Sequence, residues 1–235
     1  MPEAPLVVAA NRDELLARPA VPMTVLRDAA PRILGGRDQT AGGTWMAVNE
    51  HGVVAGLTNV PFAGAGPARR SRGLLPMFLA EHRDAASAVA ALVVRHRIAE
   101  FNPAWILAGD RDTLWYVDGS GTTAPTPRRL DRGVHVLENV SLDTPSPKAE
   151  AVRAAIAEVV TRPLVEWTAG LFAVLGDHRV AGSSPGRPPE TLANCVHAGP
   201  YGTRSAMVVR VGEGLPDIEY TEGPPCMTLP IQARW

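Results

Sequence analysis

Residues 6–14 read Leu6-Val7-Val8-Ala9-Ala10-Asn11-Arg12-Asp13-Glu14, a short apolar run that ends abruptly in polar and charged side chains. The run from Pro5 to Ala10 predicts a buried strand. Two readings of its end stay open. Asn11 to Glu14 turn the chain, with Asp13 or Glu14 capping the next segment. Alternatively, the strand presents these groups to a site on a rigid element.

Working outward, Arg18 to Pro31 contains Pro19, Pro22 and Pro31 and reads as irregular. Gly35-Gly36-Arg37-Asp38 and Ala41-Gly42-Gly43-Thr44 read as a glycine-rich loop. No Lys-Ser/Thr follows it, and it leads into a strand, so it matches neither a phosphate-binding nor a dinucleotide-binding pattern. Trp45–Asn49 and Val53–Thr58 flank Glu50-His51-Gly52 and predict a hairpin. Arg69, Arg70 and Arg72 form a basic cluster, either a solvated loop or a grip for phosphate or carboxylate. Leu74–Glu81 and Asp84–His96 predict helices, with Asp84 as N-cap and His82 and His96 at the surface.

A second hairpin is expected from Ala104–Ala108 and Thr113–Val117, then a polar connection from Asp118 to Pro127 and a strand over Gly133–Leu137. Ser146 followed by Pro147 and Glu150 marks the start of a helix running to Val160. A further helix is expected over Leu164–Leu175, a surface loop over Gly182–Pro189, and paired strands over Ser205–Val211 and Asp217–Thr221 before an irregular proline-rich tail. Hairpins with helices grouped between them predict an α+β domain of antiparallel sheets covered by helices, not a doubly wound parallel sheet.

The bulk properties bound the function. The 235 residues are 46% hydrophobic, enough for one sizeable core in a single domain spanning 1–235. A net charge of −1 gives no electrostatic case for nucleic acid or an anionic membrane. The longest apolar run, Ala85 to Val94, is too short to span a bilayer. Glu3 stands where a basic leader region would be, so a cytoplasmic location is expected. Cys195 and Cys226 are the two cysteines and are not expected to form a close pair, so neither a disulfide framework nor a cysteine zinc site is expected. Lys148 is the single lysine among many arginines, a bias of the kind a G+C-rich bacterial genome imposes.

Asn11/Asp13, Asn59 and Asn139 share a pattern: each follows an apolar strand and precedes an irregular segment. Buried amides need partners, and amides near strand ends can donate to a developing oxyanion. Asparagine is also simply favoured in turns.

Several blocks resemble one family. They are Ala9-Ala10-Asn11-Arg12-Asp13-Glu14 with Arg18-Pro19, Gly35-Gly36-Arg37-Asp38 with Gly42-Gly43-Thr44-Trp45, and Gly52 to Asn59. Ser71-Arg72-Gly73-Leu74-Leu75 and Tyr201-Gly202-Thr203-Arg204-Ser205 complete the set. Across nearly the whole chain these resemble the NRDE family, of the transport and Golgi organisation 2 type. That family is similar to N-terminal nucleophile hydrolases of the bile-salt hydrolase and penicillin V acylase branch. The resemblance implies an αββα sandwich of two antiparallel sheets. It also implies an N-terminal cysteine nucleophile whose own α-amino group, with a pKa of about 7.7–8.0, acts as base.

By the same resemblance, Asp13 supports that pair, Asn59 donates to the oxyanion, and Asn139 matches a later asparagine more loosely. Asn11, Arg12, Trp45 and Arg204 become candidate binding residues, with Arg204 suited to a carboxylate or phosphate. Family members typically begin Met-Cys and run through a first strand and turn before the equivalent of Leu6. Here Met1-Pro2-Glu3 stands where that turn is expected; of two explanations, an upstream strand bearing the cysteine or a protein without this chemistry, the first is expected. Without that cysteine the chain is expected to be inactive. The relatives also imply a different class of function, haem or lipid and acyl-CoA binding and trafficking without catalysis. A haem carrier would need an accessible ligand, and the six histidines include no Cys-x-x-Cys-His motif. No cofactor is expected; the expected partner is a small molecule, such as an acyl-amide or haem.

Overall fold

The computed structural model describes residues 4–61, 69–95, 98–121, 127–183 and 188–235. The opening run does not turn at Asn11. It continues as one strand, β1, over Leu6–Leu15. Seven strands follow in chain order: β2 (Ala20–Arg27), β3 (Ile33–Asp38), β4 (Met46–Asn49), β5 (Val54–Asn59), β6 (Ala104–Gly109), β7 (Leu114–Gly119) and β8 (Arg128–Leu130). They form a seven-stranded antiparallel sheet in that same order. Helices α1 (Leu74–Leu79) and α2 (Ala85–Arg95) lie between β5 and β6, and α3 (Pro147–Val159) and α4 (Trp167–Leu175) follow β8. The chain then forms β9 (His197–Ala198), β10 (Tyr201–Val211), β11 (Asp217–Tyr220) and β12 (Ile231–Gln232), which join β1 in a second sheet of order β1-β10-β11-β12 with β9 paired to β10.

Period-two alternation along β1 explains how the layers assemble. Leu6, Val8 and Ala10, with their cross-strand neighbours Val211, Val209 and Met207, face the other sheet and pack against its Leu34, Met46, Val48 and Val54. Val7 and Ala9 point the opposite way, onto Trp167, Leu171 and Phe172 of α4. On the far side, Leu75 and Leu79 of α1 and Val89 and Leu92 of α2 bury against Ile106, Ala108 and Val117. Helices therefore cover the outer faces of two packed antiparallel sheets, the αββα order that the resemblance implied.

Local rules failed where the sheets overrode them. Arg18 to Pro31 was expected to be irregular, yet Ala20–Arg27 is β2. Pro22 is tolerated because β2 is an edge strand and the register shifts between Val21 and Thr24. Gly35 and Gly36 are not loop residues but lie within β3. A Cβ at Gly35 would lie 2.3 Å from the Met46 carbonyl oxygen, and one at Gly36 would lie 1.9 Å from Trp45 Cζ2. Conversely, Gly133–Leu137 forms no ladder. This segment is held by the Thr58 hydroxyl, which donates to the Glu138 carbonyl at 2.9 Å.

The helix signals were local and hold. The Asp84 carboxylate accepts from Ser87 N at 2.7 Å just before α2, and Ser146 caps α3 by accepting from Ala149 N at 3.2 Å. The second predicted helix is described to Arg95, and His96 lies outside the described residues. Leu164–Glu166 is a 3-10 turn leading into α4. Asn49, fully buried, donates to the carbonyls of Ala80 and His82 and accepts from the amides of His51 and Val53. It pins α1 to the β4–β5 hairpin. No described helix is long and apolar enough to cross a membrane.

Candidate functional site

A cleft of about 1200 Å³ runs along β1 between the sheets. Every residue from Ala4 to Glu14 lines it. Strand order explains this: β10 occupies one edge of β1, and among the described residues no strand occupies the other. The cleft is apolar along Leu6, Val8, Val54, Leu57, Leu107 and Ile156. Its lining also includes Asn11, Arg12, Asp13, Trp45, Asn59, Arg72 and Asn139. Separate parts of the sequence thus bring Asp13, Asn59 and Asn139 to one wall system. Arg204 is not among the lining residues. It donates instead to the carbonyls of Leu15 and Leu16, closing the end of β1.

Asn11, Arg12 and Asp13 are held from behind. Asn11 Nδ2 donates to the carbonyls of Leu175 at 2.9 Å and Asn194 at 2.8 Å, and its buried Oδ1 has no hydrogen-bond partner. Arg12 is only 7% exposed. Its guanidinium lies 4.6 Å from the centroid of the Trp45 ring, and its buried Nη1 has no hydrogen-bond partner. Burial lowers its pKa, opposed by the charges of Glu14 and Asp38. Asp13 accepts from the Thr203 hydroxyl at 2.6 Å. That hydroxyl oxygen accepts from Val196 N at 2.8 Å, which leaves its proton for Asp13. Asn59 is the last residue of β5, opposite Ala104. Asn139 is placed by its neighbour Glu138, whose carbonyl is bonded to Thr58 and whose carboxylate accepts from Ser146.

Sequence reasoning gave Thr203 and Arg18 no role at the site and left Arg72 open between a solvated loop and an anion grip. Thr203 lay inside a quoted block, but nothing local revealed that it faces Asp13. Arg72 lines the cleft and donates to the Pro103 carbonyl at 3.3 Å, while burial lowers its pKa. Its neighbour Arg70 instead lies 4.5 Å over the Phe101 ring, so the basic cluster divides between two places. Arg18 bridges Asp38 at 2.7 Å and Glu14 at 3.7 Å along the cleft rim.

The expectation that the cysteines stay apart is overturned. Cys195 and Cys226 bring their sulfurs to 3.5 Å, because the C-terminal stretch folds back beside the segment before β9. Neither lines the cleft. Burial, with Cys226 adding to it, pushes the Cys195 thiol up to about 12, which removes it as a nucleophile near neutral pH. The cleft as described holds a positioned carboxylate and side-chain amides, which can orient a base and stabilise an oxyanion.

The family model described as "Transport and Golgi organisation 2" matches residues 1–223. Among curated proteins, the chain is 30% identical over 228 residues to a Transport and Golgi organization protein 2 homolog of Bos taurus, covering 88% of this chain and 82% of that one. The Mus musculus homolog is 29% identical over 231 residues with the same coverage. Among solved structures, a penicillin V acylase from Agrobacterium tumefaciens superposes with a TM-score of 0.54 at 11% identity, covering 96% of this chain and 82% of the acylase. A mutant of the conjugated bile acid hydrolase from Clostridium perfringens gives 0.55 at 10% identity, covering 97% of this chain and 93% of the hydrolase. At these identities the structural likeness concerns the fold alone.

Proposed function

Because the chain belongs to the Transport and Golgi organisation 2 family and carries an N-terminal-nucleophile hydrolase fold, we propose that its cleft binds an elongated acyl compound with a polar or anionic end. When a cysteine nucleophile is presented along the open edge of β1, the cleft hydrolyses a non-peptide amide bond of that compound. The observation that carries this reading is the meeting of Asp13, Asn59 and Asn139 in one cleft with a long apolar wall.

In this reaction an N-terminal thiol gives its proton to its own α-amine and attacks the amide carbonyl. Asn59 and Asn139 donate to the oxyanion as it forms. Asp13, oriented by Thr203, holds the α-ammonium. The C–N bond breaks, the amine departs with the proton, and water then releases the acid from the thioester.

The test is the chain carrying an added N-terminal segment that begins, after processing, with a cysteine. Exposure to a panel of N-acyl amides should give an acyl adduct in the intact mass and release the amine. Replacing that cysteine by alanine should abolish both, and Asn59→Ala should slow turnover by about 10²–10³-fold. No adduct and no amine across the panel would sink the hydrolase reading.

A second reading, binding without chemistry, is favoured by Arg12, whose buried Nη1 lacks a hydrogen-bond partner in the wall of a cleft lined largely by apolar side chains. An anionic head on a lipid, an acyl-CoA or a haem propionate would complete it. Titration of the chain as it stands with a fluorescent fatty acid, an acyl-CoA and haem separates these ligands. Arg12→Ala should weaken the one that binds by about 10–100-fold, and no saturable binding of any of the three would remove this reading.

A further inference from the structure

Outside the cleft, side chains from separate parts of the chain converge. His178 follows α4, Cys195 and His197 flank the start of β9, and Cys226 lies in the C-terminal stretch after β11. One ligand atom from each lies within 4.8 Å of all the others. Cys195 Sγ is 3.5 Å from Cys226 Sγ and 3.7 Å from His197 Nε2, and His197 Nε2 is 3.3 Å from Cys226 Sγ. A tetrahedral zinc with bonds of about 2.3 Å to sulfur and about 2.0–2.1 Å to nitrogen has edges of roughly 3.8 Å between sulfurs and roughly 3.6 Å between sulfur and nitrogen. These three edges fall close to those lengths.

We propose that His178, Cys195, His197 and Cys226 form a Cys₂His₂ site for a thiophilic divalent cation of the Zn²⁺ type. Three further observations support it. His178 Nδ1 lies 3.0 Å from the Cys195 carbonyl. With the proton on Nδ1, the lone pair is left on Nε2, the arrangement that orients ligating histidines. Cys195 N in turn donates to the Asp177 carbonyl at 2.9 Å, so the two segments that carry three of the ligands are tied to each other. The fourth ligand is delivered by close backbone approach: a Cβ on Gly176 would lie 3.4 Å from Cys226 N. Four protein ligands leave no open position, which marks the site as structural. On binding, each thiol releases its proton to solvent and the cation takes the two thiolates.

The site braces the candidate cleft from behind. Between its ligands, the Asn194 carbonyl accepts from Asn11 and Val196 N donates to the Thr203 hydroxyl that holds Asp13. A cation that fixes Cys195 and His197 therefore fixes the strip that positions Asn11 and Asp13. Asn194 and Val196 act here as positioning residues.

The test uses the full chain, reduced and stripped of metal, titrated with Co²⁺ and then Zn²⁺. One equivalent of Co²⁺ should produce ligand-field bands of a tetrahedral site with thiolate-to-cobalt charge transfer, and Zn²⁺ should displace it and raise the Tm. Cys226 and His178 are exposed, so Cys226→Ser and His178→Ala should keep the native circular dichroism. Each should lose more than about 100-fold in affinity, since even removing an outer partner of a ligand costs 10–100-fold. Amide exchange at Val196 and Thr203 should slow when Zn²⁺ binds. Failure to bind one equivalent, a cobalt spectrum without thiolate charge transfer, or unchanged affinity in both variants would overturn the site. So would a mass lower by two hydrogens, showing Cys195 joined to Cys226, in protein produced in zinc-containing medium.

Discussion

At the scale of single residues, the Thr203 hydroxyl links two partners: it accepts from the Val196 amide and donates to Asp13. Thr203→Val preserves the shape and removes both bonds, so it should cost about 1–3 kcal/mol in urea unfolding, while Thr203→Ser should restore most of that. The Asp38 carboxyl shows a different balance. Burial would raise its pKa, but the Arg18 guanidinium and the amides of Ala41 and Thr40 outweigh burial and hold it below the usual carboxylate value. Its folded pKa lies below its unfolded value, so its stabilisation is complete above about pH 4 and fades as pH falls through the folded pKa. Asp38→Asn should flatten the acid limb of the urea midpoint against pH below about pH 4. Asn59 could be singled out in the sequence because it ends a strand and Asp13 because a motif announced it, whereas Asn139 was picked out at the end of a strand that does not form. Thr203 could not, because its partner is set by a register spanning 190 residues. The gathering of His178, Cys195, His197 and Cys226 was hidden for the same reason.

At the scale of elements, what was legible depended on how local the cause was. Helix α3 could be read outright because Ser146 and Pro147 act within one turn. Ser146→Ala should cost about 1 kcal/mol in stability. It also removes the bond to Glu138 and loosens the segment that carries Asn139, so amide exchange at Val140 should quicken. Strands β2 and β3 were misread because proline and glycine are strong local signals for loops, while their actual causes lie in neighbouring strands. Gly36 illustrates this: its missing Cβ is the space in which the Trp45 ring lies beside Arg12. Gly36→Ala should displace that ring and cost at least about 2 kcal/mol. Loss of the native tryptophan fluorescence, alongside a shifted urea midpoint, would record the displacement.

At the scale of the whole molecule, the antiparallel class and the outer helices followed from hairpins and helix periodicity. The division into two sheets did not, because β1 leaves its sequence neighbours and pairs from Leu6 opposite Val211 to Leu15 opposite Tyr201. The seven-stranded sheet, by contrast, grows through neighbours in chain order. That difference sets an order of events during synthesis. The ribosome can release β2 to β8 with every partner already made, through short loops except for the longer β5–β6 connection that carries α1 and α2. The first strand must wait, solvated and without its partner, until the last quarter of the chain emerges. Pulse-labelled hydrogen exchange during refolding should therefore protect the amides of β4 to β7 before those of β1 and β10. Simultaneous protection would show that the sheets form together. The cleft, walled by β1 and closed only when β10 joins it, is then the final part of the described fold to come into being.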